Sequence, residues 1–331
     1  MRHRNSIVVV LLAGLLAGCA SSATKPLPVC GRASAAARYA VDNGVVRKIY
    51  DNERGSPAVT ADLAHVTGAA DLLAAVTDDN RAATLAAVKR IVYTPGWHIV
   101  RLRVLNNAGV VLADVGGPYV LAPVTGSLLV DGVIVGTFVM SVQDDNGYKK
   151  LVTNIADLPI ELYLGGKPLM GSLADPPSTP PSGTTLTLGG IDYDIDAYSV
   201  ESFPSGELGV VVLIAIPSPA LGRESCAAIR LATEAGVVAR VADAFGPHQQ
   251  FSFLKQTSLF VTGAEEYTPG PIFVLNGATE VAGSNQLSAE RGPAPPKNLP
   301  QSGSVTYDAK RWLVYSFEPF PPDRIYVLQP A

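Results

Sequence analysis

Apolar residues recur every three to four positions from Ala33 to Tyr93, which is the spacing of the buried face of an α-helix. The last helix of this stretch is predicted to begin after Asp79 or Asn80, because either side chain can accept a hydrogen bond from a free N–H group of the first turn. Pro95-Gly96 then ends the pattern, since proline cannot continue a helix. The pattern therefore predicts a lead of several helices.

The spacing changes to every second residue in the segment HIVRLRVLN. Val100, Leu102 and Val104 fall on one face of the predicted strand, and Arg101 and Arg103 fall on the other. Further alternating segments follow, separated by turn residues, and two of them meet at an Asp-Gly step that is typical of a tight hairpin. An antiparallel sheet is therefore expected after the helical lead.

This sequence of elements is repeated along the chain. Residues 32–157 carry the helical lead and the first sheet (module A), residues 158–217 carry a second sheet (module B), and residues 218–331 carry a second helical lead and a third sheet (module C). Short phrases recur in matching order: Leu164-Gly165-Gly166 with Leu275-Asn276-Gly277, Gly171-Ser172 with Gly283-Ser284, Phe203-Pro204 with Phe320-Pro321, and Gly44-Val45-Val46-Arg47 with Gly236-Val237-Val238-Ala239-Arg240. We therefore predict an α+β protein of duplicated units, each of about five antiparallel strands behind helices.

The N-terminus is typical of an export signal. Arg2 and Arg4 precede the apolar segment Ile7–Leu16, which is too short to span a bilayer as a helix. The segment ends in Leu-Ala-Gly-Cys19, which resembles the lipobox of bacterial lipoproteins. The resemblance implies that residues 1–18 are a signal peptide, that Cys19 is lipidated, and that residues 19–31 tether the protein to the outer face of the bacterial cell membrane. The alternative is an ordinary secretory leader in which Cys19 has no special role.

Two cysteines, Cys30 and Cys226, remain after Cys19. In an exported chain a pair of cysteines favours a disulfide, and the alternative is two buried, reduced thiols. The net charge of −4 becomes −6 once the leader and its two arginines are removed, and no basic run is present. This charge distribution argues against nucleic acid as a partner.

The order of these elements resembles the PAS-like extracellular sensor domains called Cache or PDC. The resemblance rests on a helical lead, the segment VLNNAGVVLADV, and a last strand, VGTFVMSVQDD, that runs into a short helix before the next hairpin. It implies tandem PAS-like antiparallel sheets and the binding of a small molecule outside the cell. Such sensors usually continue through a membrane helix into a signalling module. We expect this chain to act through a membrane signalling partner, because no later segment has about 18 consecutive apolar residues.

A candidate ligand site lies in module A. Arg101 and Arg103 have the chemistry to hold a carboxylate through paired hydrogen bonds, and an aromatic residue, Trp97 or Tyr119, would pack on the body of the ligand. Asp144, at the end of the last strand, completes the candidate set. The alternative is structural: the two arginines form a solvated outer face, and Asp144 caps the helix at Gly147.

No catalytic residue, metal or cofactor is predicted. The histidines are scattered, and no nucleophile elbow or phosphate-binding glycine loop is present. Asp192, Asp194 and Asp196 alternate as at the start of a calcium loop, but the later ligands are missing, and a position on the solvent face of a strand is expected instead. The predicted function is a ligand-sensing or binding protein rather than an enzyme. The alternative is a structural or interaction lipoprotein of the cell envelope without a small-molecule ligand.

Overall fold

The computed structural model describes residues 29–117, 120–203, 206–216, 225–244, 254–287, 293–296 and 298–331. The predicted signal peptide and Cys19 lie outside these ranges. Within them the chain forms an α+β fold with three antiparallel sheets, as predicted. No single helix among the described residues is long and apolar enough to cross a membrane, and the bent pair Ser34–Thr67 with Ala70–Thr77 meets that criterion only when its two segments are joined.

The helical lead consists of α1 (Ser34–Gly55), α2 (Pro57–Thr67), α3 (Ala70–Thr77) and α4 (Arg81–Tyr93). Its boundaries follow from capping chemistry. Ser56 accepts a hydrogen bond from the amide of Val59 at the start of α2, and Asn80 accepts one from the amide of Ala83 at the start of α4. Of the two residues predicted to cap α4, it is Asn80 that does so.

The first sheet, sheet A, is built from β1 (Arg101–Asn106), β2 (Val111–Gly116), β4 (Val124–Val130) and β5 (Val133–Ser141), in the order β2-β1-β5-β4. Two short strands, β3 (Val120–Leu121) and β6 (Gln143–Asp144), pair beside it, and α5 (Asp145–Leu151) leads into a π-helical turn at Val152–Ala156. Asp131 and Gly132 both have positive φ in the β4–β5 turn, so the predicted hairpin is confirmed.

Sheets B and C share one strand order. Sheet B contains β7 (Ile160–Leu164), β8 (Lys167–Gly171), β9 (Thr185–Leu188), β10 (Ile191–Ser202) and β11 (Gly206–Ala215), in the order β8-β7-β11-β10-β9. After α6 (Cys226–Ala244) and α7 (Leu254–Glu265), sheet C contains β12 (Ile272–Asn276), β13 (Thr279–Gly283), β14 (Ser302–Tyr307), β15 (Lys310–Phe320) and β16 (Asp323–Pro330), in the order β13-β12-β16-β15-β14. A short helix, α8 (Ser284–Leu287), follows β13. This arrangement is compatible with PAS-like sheets.

The hydrogen bonds of sheets B and C also match residue by residue. The Ser172 hydroxyl accepts from the amide of Ile160 in sheet B, and the Ser284 hydroxyl accepts from the amide of Ile272 in sheet C. Ile160 and Ile272 are therefore equivalent positions. Counting from them makes Leu164 equivalent to Asn276. The sequence match of Leu164 with Leu275 is therefore wrong by one residue.

The helical lead of module A is divided between two cores. Helices α2, α3 and α4 pack on sheet A, and this core includes Leu72, Val88 and Leu102. Helix α1 instead packs along α6, and its residues Val46 and Ile49 belong to a central core shared with the inner faces of sheets B and C. Thus α1 and sheet B form one half of a duplicated structure, with sheet A and its helices inserted between them. Helices α6 and α7 and sheet C form the other half.

Cys30 and Cys226 form a disulfide with a Cα–Cα distance of 4.6 Å, so the predicted pairing is confirmed. A β-bridge between Val29 and Ser225 lies next to it. The bond joins the beginnings of α1 and α6, the two helices at the centre of the duplicated structure. Disulfides are typical of proteins that fold in an oxidising compartment outside the cytosol.

Candidate functional site

The two arginines of the predicted ligand site are held by Asp114 of β2. Arg101 Nε lies 2.8 Å from Asp114 Oδ1, and Arg103 Nη2 lies 2.7 Å from Asp114 Oδ2. The Phe203 ring, at the end of β10, covers both guanidinium groups, with its centroid 5.2 Å from Arg101 Cζ and 4.4 Å from Arg103 Cζ. Their side chains are only 13% and 25% exposed, so they do not form the solvated outer face of the alternative interpretation. A ligand carboxylate here has to compete with Asp114.

Asp114 is expected to contribute strongly to the stability of this junction between sheets A and B. Burial raises its pKa, but hydrogen bonds from Arg101 and Arg103 outweigh burial and hold the pKa below its usual value. Asp114→Ala leaves two partly buried guanidinium groups without this carboxylate, and we expect a loss of about 2–3 kcal/mol in the free energy of unfolding. Urea denaturation tests this. Asp71→Ala, which breaks the exposed Arg90–Asp71 pair, is the matched control with an expected loss below about 1 kcal/mol.

The other predicted ligand residues have separate structural contacts. Trp97 stacks on His65 of α2, with ring centroids 4.0 Å apart. Asp144 caps α5 by accepting a hydrogen bond from the amide of Gly147 at 2.6 Å, as the alternative interpretation expected. Tyr119 lies outside the described residues. The structure therefore brings Arg101 and Arg103 together on Asp114 and places Trp97 and Asp144 in other contacts.

The predicted solvent position of the three alternating aspartates is wrong for Asp196. This residue is 6% exposed, because side chains of α1 reach it near the middle of β10. Arg47 of α1 binds both of its carboxylate oxygens, at 2.9 and 3.1 Å, and stacks on the ring of Tyr198. In the described part of the chain no three His, Cys, Asp or Glu side chains are grouped closely enough to hold a metal ion.

A cleft of about 460 Å³ opens between α1, α6 and the last strand, β16. Its volume lies in the range of small-molecule sites. Most of its lining is apolar and comes from alanine, valine and proline side chains. The polar lining residues are Lys48 of α1, Arg230 and Glu234 of α6, Tyr267 after α7, and Gln329 of β16.

Glu234 is the residue that distinguishes this cleft. It is 2% exposed, and its Oε1 accepts a hydrogen bond from Gln329 Nε2 at 3.2 Å. Its Oε2 and the Oε1 of Gln329 have no hydrogen-bond partner among the described residues, and both atoms are shielded from solvent. Burial raises the pKa of Glu234 to about 7 against the opposing charge of Arg230. While Glu234 is ionised, two buried acceptors without donors are unfavourable.

The half formed by α1 and sheet B has an equivalent acid, Asp42, which does have a basic partner. Helix α1 reads Arg38-x-Ala-x-Asp42-x-Gly-Val-Val and α6 reads Arg230-x-Ala-x-Glu234-x-Gly-Val-Val. Asp42 is also buried, and Arg38 Nε lies 3.2 Å from its Oδ2. Arg230 and Glu234, both described, share no such bond. The phrase Gly44-Val45-Val46-Arg47, matched above with Gly236-Val237-Val238-Ala239-Arg240, covers only the later part of this repeat, and both acids lie just before it. The helical register aligns Arg240 with Lys48 and not with Arg47.

The symmetry of the two halves extends to a basic residue six positions after each acid, Lys48 after Asp42 and Arg240 after Glu234. Arg240 of α6 donates to the carbonyls of Ile155 and Ala156, which precede sheet B, and Lys48 of α1 donates to the carbonyl of Glu266, which precedes sheet C. Each helix therefore binds the chain leading into the sheet of the other half. The cleft is lined by residues of both halves.

The strand residue equivalent to Gln329 in the other half differs from it in polarity. The amide of Leu213 in β11 donates to the Pro159 carbonyl, and the amide of Leu328 in β16 donates to the Pro271 carbonyl. The next residues, Ile214 and Gln329, are therefore equivalent. Ile214 is buried in the central core, whereas Gln329 binds Glu234. At these positions the second half places a polar strand residue beside its buried acid, whereas the first half has a buried isoleucine.

Comparison of this chain with protein-family models, with curated proteins and with solved structures finds no match.

Proposed function

We propose that this protein is an extracytoplasmic, lipid-anchored ligand-binding protein of the Cache type that acts through a partner, with its ligand in the cleft between α1, α6 and β16. The lipobox at Cys19 supports the anchor. The Cys30–Cys226 disulfide supports an oxidising location, and the three antiparallel sheets are compatible with tandem PAS-like modules.

The proposal rests on Glu234 and Gln329 on the wall of the cleft. They share one hydrogen bond, and each keeps one buried oxygen without a hydrogen-bond partner among the described residues. The equivalent of Glu234 is Asp42, in the half formed by α1 and sheet B. We call this the closed half, because Arg38 binds the acid there. The fold can therefore satisfy a buried acid at this position. An unsatisfied copy beside a cleft of ligand size indicates a site that a ligand completes. Proteins often retain buried polar atoms without hydrogen-bond partners at functional sites.

The position of the cleft connects ligand binding to the rest of the chain. Helices α1 and α6 both line it, and their beginnings meet at the disulfide next to the predicted tether. A ligand that favours one packing of α1 on α6 shifts the population of that packing. A partner at the membrane that contacts these helices would detect the shift.

The test is a thermal-shift screen of residues 20–331 against amino acids, carboxylates, polyamines and nucleobases. A ligand at 100 times its Kd stabilises the folded state by about 2.7 kcal/mol, which is a visible rise in Tm. We expect a hit that is lost in Glu234→Ala and retained in Arg101→Gln. A hit lost only in Arg101→Gln would place the ligand in module A instead. A folded protein without any hit would favour the structural or interaction lipoprotein.

A further inference from the structure

We propose that the cleft takes a ligand with a primary ammonium group on an apolar body, and that the ammonium group binds Glu234 and Gln329. This inference rests on the proposed function and names the chemical class of its ligand. It starts from the two buried atoms without partners, Glu234 Oε2 and Gln329 Oε1. While Glu234 is ionised, both are acceptors, so the missing group is a donor. A primary ammonium group supplies three N–H donors and no acceptor.

The charge of Glu234 favours a cation over a neutral donor. Hydrogen bonds between an ammonium group and a carboxylate are shorter and about twice as strong as those between neutral groups. The remaining lining suits an apolar body, because Val41, Val45 and Pro269 border the cleft. Lys48, at the rim, already donates to the carbonyl of Glu266.

Arg230 is the internal competitor of such a ligand. It stands four residues before Glu234, as Arg38 stands four residues before Asp42, and in the closed half that arginine binds the acid. Arg230 lines the cleft and interacts with Glu234 only through its charge. An ammonium group therefore takes the place that the arginine holds in the closed half. Removing the charge of Arg230 should tighten the binding of an amine, whereas it would weaken the binding of an anion.

Binding of a cation requires Glu234 to be ionised. Three titratable groups face it or line the same cleft: Arg230 on α6, Lys48 on α1, and Tyr267, whose pKa burial raises further above neutrality. Because the pKa of Glu234 is about 7, affinity for an amine should rise about tenfold from pH 6 to pH 8.

The experiment compares three probes that share a five-carbon body: pentylammonium, pentan-1-ol and pentanoate. Titration calorimetry of residues 20–331 at pH 8 should detect pentylammonium and neither of the others. Glu234→Gln, which keeps the shape and removes the charge, should weaken pentylammonium about 10- to 100-fold. Arg230→Gln should tighten it severalfold. Asp42→Asn, in the closed half, is the matched control and should leave the affinity unchanged.

Equal binding of the alcohol or the carboxylate, or an affinity unaffected by Glu234→Gln, would overturn the ammonium assignment. The probe comparison on the unaltered protein decides the question even where a variant folds poorly. The proposed function is judged separately: a screening hit of another class that depends on Glu234 keeps the cleft as the ligand site and removes only the amine.

Discussion

The double substitution Cys30→Ser, Cys226→Ser is expected to lower the free energy of unfolding of the central core by about 5 kcal/mol. The two cysteines are 196 residues apart. In the chain-entropy model, a cross-link that closes a loop of this length removes a correspondingly large conformational freedom from the unfolded chain. The loss should fall on the central core, because the bond joins the segment just before α1 to the first residue of α6, and these two helices pack together there.

Guanidinium denaturation of the disulfide-bonded protein and of the double variant measures this difference. Hydrogen exchange then shows where it falls. Amides of α6 and β16 should lose protection, whereas those of β1 and β5, in the separate core of sheet A, should keep theirs. Reduction of the unaltered protein is the control and should reproduce the shift. Equal stability of the two proteins would show that the helix pair is held by its packing alone.

The substitution Glu234→Gln is expected to stabilise the ligand-free protein above pH 7 by about 3 kcal/mol. Burial raises the pKa of Glu234 from its usual 4.5 to about 7, so between these values the folded state holds a proton that the unfolded state has released. Stability associated with Glu234 is therefore complete below pH 4.5, declines as the pH rises, and is lost above pH 7. Each unit of this interval corresponds to about 1.4 kcal/mol.

Glutamine has the shape of the protonated acid and does not ionise, so the variant should lack this decline. Urea denaturation at pH values from 4.5 to 8 would show the two proteins equal at the acidic end and separated at the basic end. Asp42→Asn is the contrasting variant: burial also raises the pKa of Asp42, but the bond from Arg38 opposes that effect, so this variant should gain less at high pH than Glu234→Gln. Parallel pH profiles for Glu234→Gln and the unaltered protein would contradict the assignment of the buried charge.

Glu234 is expected to affect the stability of the empty protein and the affinity for an amine in opposite directions. Glu234→Gln should make the empty protein more stable and the amine complex weaker. Opposite effects of this kind are common where a binding site retains a group that the fold alone would not favour. A ligand that supplies the missing donor offsets the unfavourable burial, and the protein would then be most stable with its cleft filled.

Local patterns in the sequence were sufficient for the elements and for the disulfide. Helical spacing before Tyr93, alternation around Leu102 and the Asp131-Gly132 turn each depend on neighbours a few residues away, and the structure confirms them. The two cysteines that remain after the predicted leader restricted the pairing to Cys30 with Cys226. Repeated phrases likewise indicated the duplicated sheets, although the alignment of the hairpin turns needed the hydrogen-bond register.

The candidate site depended on contacts between distant segments. Arg101 and Arg103 were expected to face a ligand or solvent, but the pairing of β1 with β2 brings Asp114 between them. Asp196 was expected on the solvent face, but Arg47 of α1 binds it near the middle of its strand. In both cases the period of a strand determines which side chains share a face, and only the packing of other elements determines what covers that face.

Glu234 is a further residue whose environment depends on packing and not on the local sequence pattern. In sequence it is one polar residue of an amphipathic helix, and it carries no motif that distinguishes it from a solvated surface acid. Its burial follows from the packing of α6 against sheet C, and its partner Gln329 comes from a strand 95 residues away. The spacing of nearby residues predicts which elements form, and repeated phrases predict the duplication, so both can be read without the fold. The two equivalent acids differ in their hydrogen bonds because those bonds depend on side chains from elements that meet only in the folded chain.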